Sequence, residues 1–155
     1  MDLSGLPAEG WVFARAIKLR LETHGVGCRD CSADIDYLKR INDQYGHPSG
    51  DDAVISAAHA LEDCLPSDSL IARIGGDEFC AFVPKASIGN IEAAVSDTAA
   101  KALGLFREKR PDIKHQLSIS VGQIACKPGQ TFEEVMALAD KGLYRKKSSR
   151  SQERI

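Results

Sequence analysis

The chain has 155 residues, enough for one domain with a core of its own. An apolar share of 43% beside a charged share of 27% is that of a water-borne globular domain, and a net charge of −2 leaves no broad basic surface for nucleic acid. No apolar run nears the roughly 20 residues that cross a bilayer, and Met1-Asp2-Leu3 opens neither a basic nor an apolar leader, so the cytoplasm is the expected compartment.

The spacing of Val12, Phe13, Ala16, Ile17 and Leu21 predicts an amphipathic helix over about residues 6–22, ended by Gly25 and Gly27. Cys31-Ser32-Ala33 leads, as the end of a strand, into Asp34-Ile35-Asp36. Tyr37, Ile41 and Tyr45 stand at i, i+4 and i+8 and predict a short helix with one apolar edge, Lys39 and Asn42 lying off it. Gly46-His47-Pro48-Ser49-Gly50 reads as a turn, after which Asp51 opens a helix with Val54, Ala57, Ala58 and Leu61 on one face.

Leu70-Ile71-Ala72 and Phe79-Cys80-Ala81-Phe82-Val83 flank Gly75-Gly76, a pattern for a β-hairpin in which glycine supplies the positive φ of a tight turn. Ile91, Ala94, Val95, Thr98, Ala102, Leu105 and Phe106 keep a helical period, closed by Arg107, Lys109, Arg110 and Pro111. Leu117-Ser118-Ile119-Ser120-Val121-Gly122 alternates as a strand does. Thr131-Phe132-Glu133-Glu134 is a capping box opening a last helix, with Phe132, Val135, Met136, Ala139 and Leu143 on its buried edge. The order α-β-α-α-β-β-α-β-α contains β-α-β-β-α-β. It predicts an α/β (α+β) fold, a ferredoxin-like, antiparallel-dominated central sheet flanked by helices. No linker, repeat or low-complexity stretch divides residues 1–155, so a single domain is expected.

The five cysteines are Cys28, Cys31, Cys64, Cys80 and Cys126. An odd set with several members in strand-like runs reads as buried thiols. Cys28-Arg29-Asp30-Cys31 has the C-x-x-C spacing. A zinc site wants a second pair, and a redox pair would open a helix, whereas this one enters a strand.

Acidic residues stand at two places where a sheet could bring them together. Asp34 and Asp36 close a strand, and Asp77 and Glu78 follow the side-chain-free Gly75-Gly76 at a hairpin tip. Asp34 and Asp77 could share a hard cation such as Mg²⁺, which takes carboxylate and phosphate oxygens. Taken alone, a solvated turn and a pair of helix-capping aspartates explain the same residues.

The run from Asp34-Ile35-Asp36-Tyr37-Leu38-Lys39 through Asn42-Asp43-Gln44-Tyr45-Gly46-His47-Pro48-Ser49-Gly50-Asp51, followed by Arg73-Ile74-Gly75-Gly76-Asp77-Glu78-Phe79, resembles the GGDEF family of diguanylate cyclases. The likeness extends from Leu3-Ser4-Gly5-Leu6-Pro7 to Ala139-Asp140-Lys141-Gly142-Leu143-Tyr144. It departs where the family's opening usually carries Asn and Arg and this chain has Ala8 and Glu9.

The resemblance implies a palm-like fold shared with class III nucleotide cyclases and a cytoplasmic signalling enzyme that joins two GTP into cyclic di-GMP with loss of two pyrophosphates. It implies Mg²⁺, with Mn²⁺ as a substitute, held by Asp34, Asp77 and the carbonyl of Ile35. Asp77 and Glu78 are the implied catalytic acids, either of which could assist removal of the 3′-hydroxyl proton. Asn42 and Asp51 would read guanine, since adenine lacks the N1–H and N2–H donor pair that a carboxylate accepts. Tyr37 and Leu38, through backbone N–H groups at a helix start, and Lys39, Lys141 and Arg145 would hold phosphates. Gly75 and Gly76 would let the hairpin approach the nucleotide, and His47 belongs to the same substrate-binding set.

Each domain would bring one GTP, so turnover implies a homodimer with two-fold symmetry. An upstream regulatory region, membrane-tethered or not, would belong to the longer protein. The family's R-x-x-D product-inhibition window falls on Pro66-Ser67-Asp68-Ser69, which predicts no feedback inhibition through it. The rival readings are a catalytically weak GTP-binding regulatory domain, a maker of mixed cyclic dinucleotides, and a purely structural dimerisation module.

Overall fold

The computed structural model describes residues 28–73, 75–84, 91–114, 117–125, 130–131, 133–134 and 137. The helix expected over residues 6–22 lies outside them, as do Ile74, Cys126 and, of the expected last helix, Phe132, Val135, Met136, Ala139, Lys141, Leu143 and Arg145.

Strand β1 (Cys28–Ile35) is followed by helices α1 (Leu38–Tyr45) and α2 (His47–Cys64), strands β2 (Leu70–Arg73) and β3 (Glu78–Pro84), helix α3 (Ile91–Lys109) and strand β4 (Ile119–Ala125). The sheet order is β2-β3-β1-β4, with every neighbouring pair antiparallel. This is the expected β-α-β-β-α-β arrangement. The first strand sits inside the sheet, between β3 and β4.

Period-2 alternation sorts β1 onto two faces. Cys31, Ala33 and Ile35 join Phe79, Ala81, Val83, Ile119 and Val121 in the main core, against Ala53, Ala57, Ala60 and Leu61 of α2 and Ile91, Ala102 and Phe106 of α3. Ser32 and Asp34 lie on the other face and are buried as well. Cys28 and Cys31 of the C-x-x-C spacing both fall in β1, as the strand reading expects. Cys31 and Cys80 are buried thiols of the sheet, as expected.

Two helical expectations are corrected. The segment expected as a turn over residues 46–50 narrows to Gly46, because α2 already starts at His47. Gly46 takes φ 87, a value glycine tolerates, and Pro48 falls in the first helical turn, where a missing N–H costs nothing. Asp51 therefore lies beyond the first turn, which contains no acid, so the helix dipole does not account for it. The apolar edge expected of Tyr37, Ile41 and Tyr45 reduces to Ile41. That residue is fully buried, while Tyr37 is 57% and Tyr45 39% exposed, and half-buried Leu38 packs on the core in their place.

The hairpin is present but its turn is wider than expected, taking in Gly75, Gly76 and Asp77 before β3 begins at Glu78. Gly75 N–H donates to the Glu78 carbonyl at 3.3 Å. Among the described residues a positive φ occurs at Tyr37 and Gly46, so Gly76 does not supply the φ of a two-residue turn. What glycine provides is room: a methyl on Gly75 would sit 3.3 Å from Glu78 Oε2, while one on Gly76 meets nothing. The capping box is as expected, Thr131 N–H reaching Glu134 Oε2 at 3.1 Å and Glu134 N–H reaching Thr131 Oγ1 at 3.2 Å.

Candidate active site

The sheet register sets the site. Asp34, near the end of β1, stands directly opposite Glu78, the first residue of β3. One residue on, Ile35 N–H donates to the carbonyl of Asp77 at 2.9 Å, which fastens the hairpin turn to the strand end. Acids 43 positions apart in the chain are thereby neighbours in space. Oxygens of Asp34, Asp77 and Glu78 all lie within 4.8 Å of one another, Asp34 buried, Asp77 half-buried and Glu78 exposed.

Three carboxylates this close repel one another. A divalent cation removes that repulsion, and an all-oxygen donor set is what Mg²⁺ prefers. The graded burial suits such an ion: a buried anchor at Asp34 and ligands toward solvent, where a nucleotide's phosphates could complete the sphere. The donor chemistry and the spacing of the cluster therefore fit the expected metal.

Two further groups hold this rim: Arg73, to which the sequence reading assigned no role, and Asp36, which it read only as a helix cap. Arg73, at the end of β2, reaches over the turn. Its Nε donates to the carbonyls of Gly75 (3.0 Å) and Gly76 (3.2 Å), and a terminal guanidinium nitrogen donates to Gly76 at 2.7 Å. A turn with little side-chain packing of its own is thus fixed through its backbone. Asp36 accepts from Ser118 Oγ at 2.8 Å and Ser120 Oγ at 2.7 Å, both from the β4 side. It is therefore no helix cap: the residue at the N-cap of α1 is Tyr37, without a side-chain capping bond. Arg73 could have been noticed as the cation nearest the signature. The Ser118 and Ser120 partnership could not, because only the β1–β4 register creates it.

At the adjoining corner, Asn42 of α1 lies against the first turn of α2. Its amide oxygen occupies the space a side chain on Gly50 would need. Asp51 follows Gly50 and is exposed, as are His47 and Lys39. Lys39 and Asn42 are three apart on α1 and so neighbours on its surface. Tyr37 and Leu38 open α1, where backbone N–H groups lack helical acceptors. Lys141 and Arg145 fall outside the described residues. Away from the site, Arg110 Nε meets Asp52 Oδ2 at 2.6 Å and joins the end of α3 to α2.

The chain matches one family model, described as diguanylate cyclase, GGDEF domain, over residues 31–153. It is 33% identical over 134 residues to an uncharacterized signaling protein of Caulobacter vibrioides, covering 84% of this chain and 16% of that protein. It is 29% identical over 119 residues to the diguanylate cyclase DgcM of Escherichia coli K12, covering 74% and 27% respectively. Among solved structures it is similar to a sensory box/GGDEF family protein of Caulobacter crescentus, with a TM-score of 0.67 and 29% identity over 89% of each chain. The chain thus spans less than a third of the length of these two curated relatives.

Proposed function

The chain belongs to the GGDEF family of diguanylate cyclases, and from that premise we propose that it condenses two GTP into cyclic di-GMP and two pyrophosphates. The observation that carries this reading is the convergence of Asp34, Asp77 and Glu78 oxygens within 4.8 Å at the rim of the sheet. Degenerate sites would be expected to lose one of these acids, and all three are present.

Asp34, Asp77 and the Ile35 carbonyl would hold Mg²⁺, which supplies charge neutralisation at the phosphates. The remaining work is positioning. Backbone N–H groups of Tyr37 and Leu38, with Lys39, Lys141 and Arg145, bind the phosphates. Asn42 and Asp51 take the guanine edge, the corner at Gly50 setting their spacing, with His47 beside them. Gly75 and Gly76 keep the turn low enough for the nucleotide to lie against it. Glu78 or Asp77 accepts the proton of the ribose 3′-hydroxyl as that oxygen attacks the α-phosphorus of a second GTP. The second GTP comes from a second copy of the domain, facing the first across a two-fold axis. In the longer protein a regulatory region would govern that encounter.

The test is to incubate the purified chain at high concentration with GTP and Mg²⁺ and identify the product by mass. Cyclic di-GMP, lost with EDTA and in Asp77→Ala, is the expected result. GTP bound without product would replace the reading with a regulatory nucleotide-binding domain. A mixed dinucleotide formed from ATP plus GTP would remove the guanine role of Asp51.

A further inference from the structure

The turn between β1 and α1 contains a feature that the metal and base-binding roles do not use. Tyr37 sits at φ 59, ψ 32, in the left-handed region that side-chain-bearing residues avoid. Such a backbone persists only where its surroundings over-determine it. The tyrosine ring is not what holds it, since Tyr37 is 57% exposed.

The constraint lies one residue earlier. Asp36 N–H donates to the Ser118 carbonyl at 2.9 Å. Its two carboxylate oxygens accept separately from Ser118 Oγ and Ser120 Oγ at 2.8 and 2.7 Å. Immediately before it, Ile35 N–H is tied to Asp77. The chain entering the turn is thus held from β4 on one side and from the hairpin on the other. Among the described residues the converging carboxylates are Asp34, Asp77 and Glu78, while Asp36 accepts from the β4 side.

We propose that Asp36, gripped by Ser118 and Ser120, is a positioning residue that keeps Tyr37 left-handed and so aims the Tyr37 and Leu38 N–H groups at the phosphates of the nucleotide. The ligand in this statement rests on the GTP reading above; the turn geometry does not. Without the clamp, Tyr37 relaxes to an ordinary backbone region. Its peptide plane then turns and the anion-binding donors lose their direction.

Two readouts test this on the whole chain. One is the affinity of a non-hydrolysable GTP analogue with Mg²⁺, by calorimetry. The other is the HN–Hα coupling and Cα shift of Tyr37 by NMR, which report φ without nucleotide. Asp36→Ala and the pair Ser118→Ala/Ser120→Ala are each expected to weaken the analogue about tenfold, as losing a charge-assisted hydrogen bond does, and to move the Tyr37 signals out of the left-handed range. Asp36→Asn, which can still accept from one hydroxyl and donate to the other, should stay within about twofold. Adding Tyr37→Gly to Asp36→Ala should recover most of the loss, because glycine takes this φ without steric cost.

An unchanged affinity or an unchanged Tyr37 coupling in both clamp-deleted proteins overturns the proposal. So does an equal loss in Asp36→Asn. If the unaltered chain binds no analogue, the GTP reading fails and takes the ligand with it, while the Tyr37 coupling alone still decides whether the clamp holds the turn. If Asp36→Ala does not fold, the serine pair decides both questions.

Discussion

The middle of β1 and its last turn are held in different ways. Cys31, Ala33 and Ile35 are anchored by close packing against Ala81, Phe79 and the helices behind them. One step on, the anchors are directional: Ile35 N–H on Asp77, Asp36 N–H on Ser118, and two hydroxyls on the Asp36 carboxylate. Packing is insensitive to direction and supplies most of the folding free energy. Hydrogen bonds contribute little net stability but fix angles. The same strand thus serves stability in its middle and geometry at its end, and changes in the two parts should fail in different ways.

Substitutions at four positions would sharpen or break that contrast. The largest effect is expected from Asp77→Ala. Product formation should fall by about 10³-fold, or about 4 kcal/mol at the transition state, with the melting temperature held or raised because a repelling charge is gone. A large loss of stability would show that the acid cluster is structural. Phe106→Ala is the converse. Its ring is fully buried in the core, and its loss should cost about 3–5 kcal/mol in denaturant unfolding. The protein that remains folded should bind nucleotide normally.

Gly50→Ala probes the corner between α1 and α2. The new methyl overlaps the Asn42 amide, so about 1–3 kcal/mol of stability should be lost and KM for GTP should rise more than kcat falls. An unchanged KM would detach Asn42 from the base. Arg73→Ala is expected to be mildest. It removes the guanidinium bonds from the Gly75 and Gly76 carbonyls and should slow turnover about tenfold with little change in melting. Arg73→Lys should rescue only in part, because an ammonium lacks the planar fork.

Most of the architecture was legible where a local pattern carries it. The apolar run of residues 79–83, the helical period from Ile91 to Phe106 and the Thr131–Glu134 box each depend on neighbours within a few positions. The meeting of Asp34 with Asp77 was legible through the resemblance, not through spacing alone. What escaped the reading depends on register. Ser120 partners Asp36 only because β4 lies beside β1 with Ser120 opposite Asp34, and no pattern within β4 announces a partner 84 positions away. The start of α2 was misplaced because His47-Pro48-Ser49-Gly50 has turn composition, yet Pro in a first helical turn is equally at home there. The hairpin glycines were assigned to backbone twist when, at Gly75, they serve clearance from Glu78.

The sheet order has a consequence for the order of events as the chain folds. The clamp on Asp36 needs Ser118 and Ser120, so the turn after β1 has to wait for a strand made some eighty residues later. Closing so long a loop is slow, and non-local strand pairing is the costly step in folding such sheets. A nascent chain that has emerged only as far as α3 contains both strands, β1 and β3, whose pairing brings Asp34, Asp77 and Glu78 together. It cannot yet brace the entry to α1. On the proposed GTP reading, nucleotide binding with full geometry would then arise only after β4 has left the ribosome.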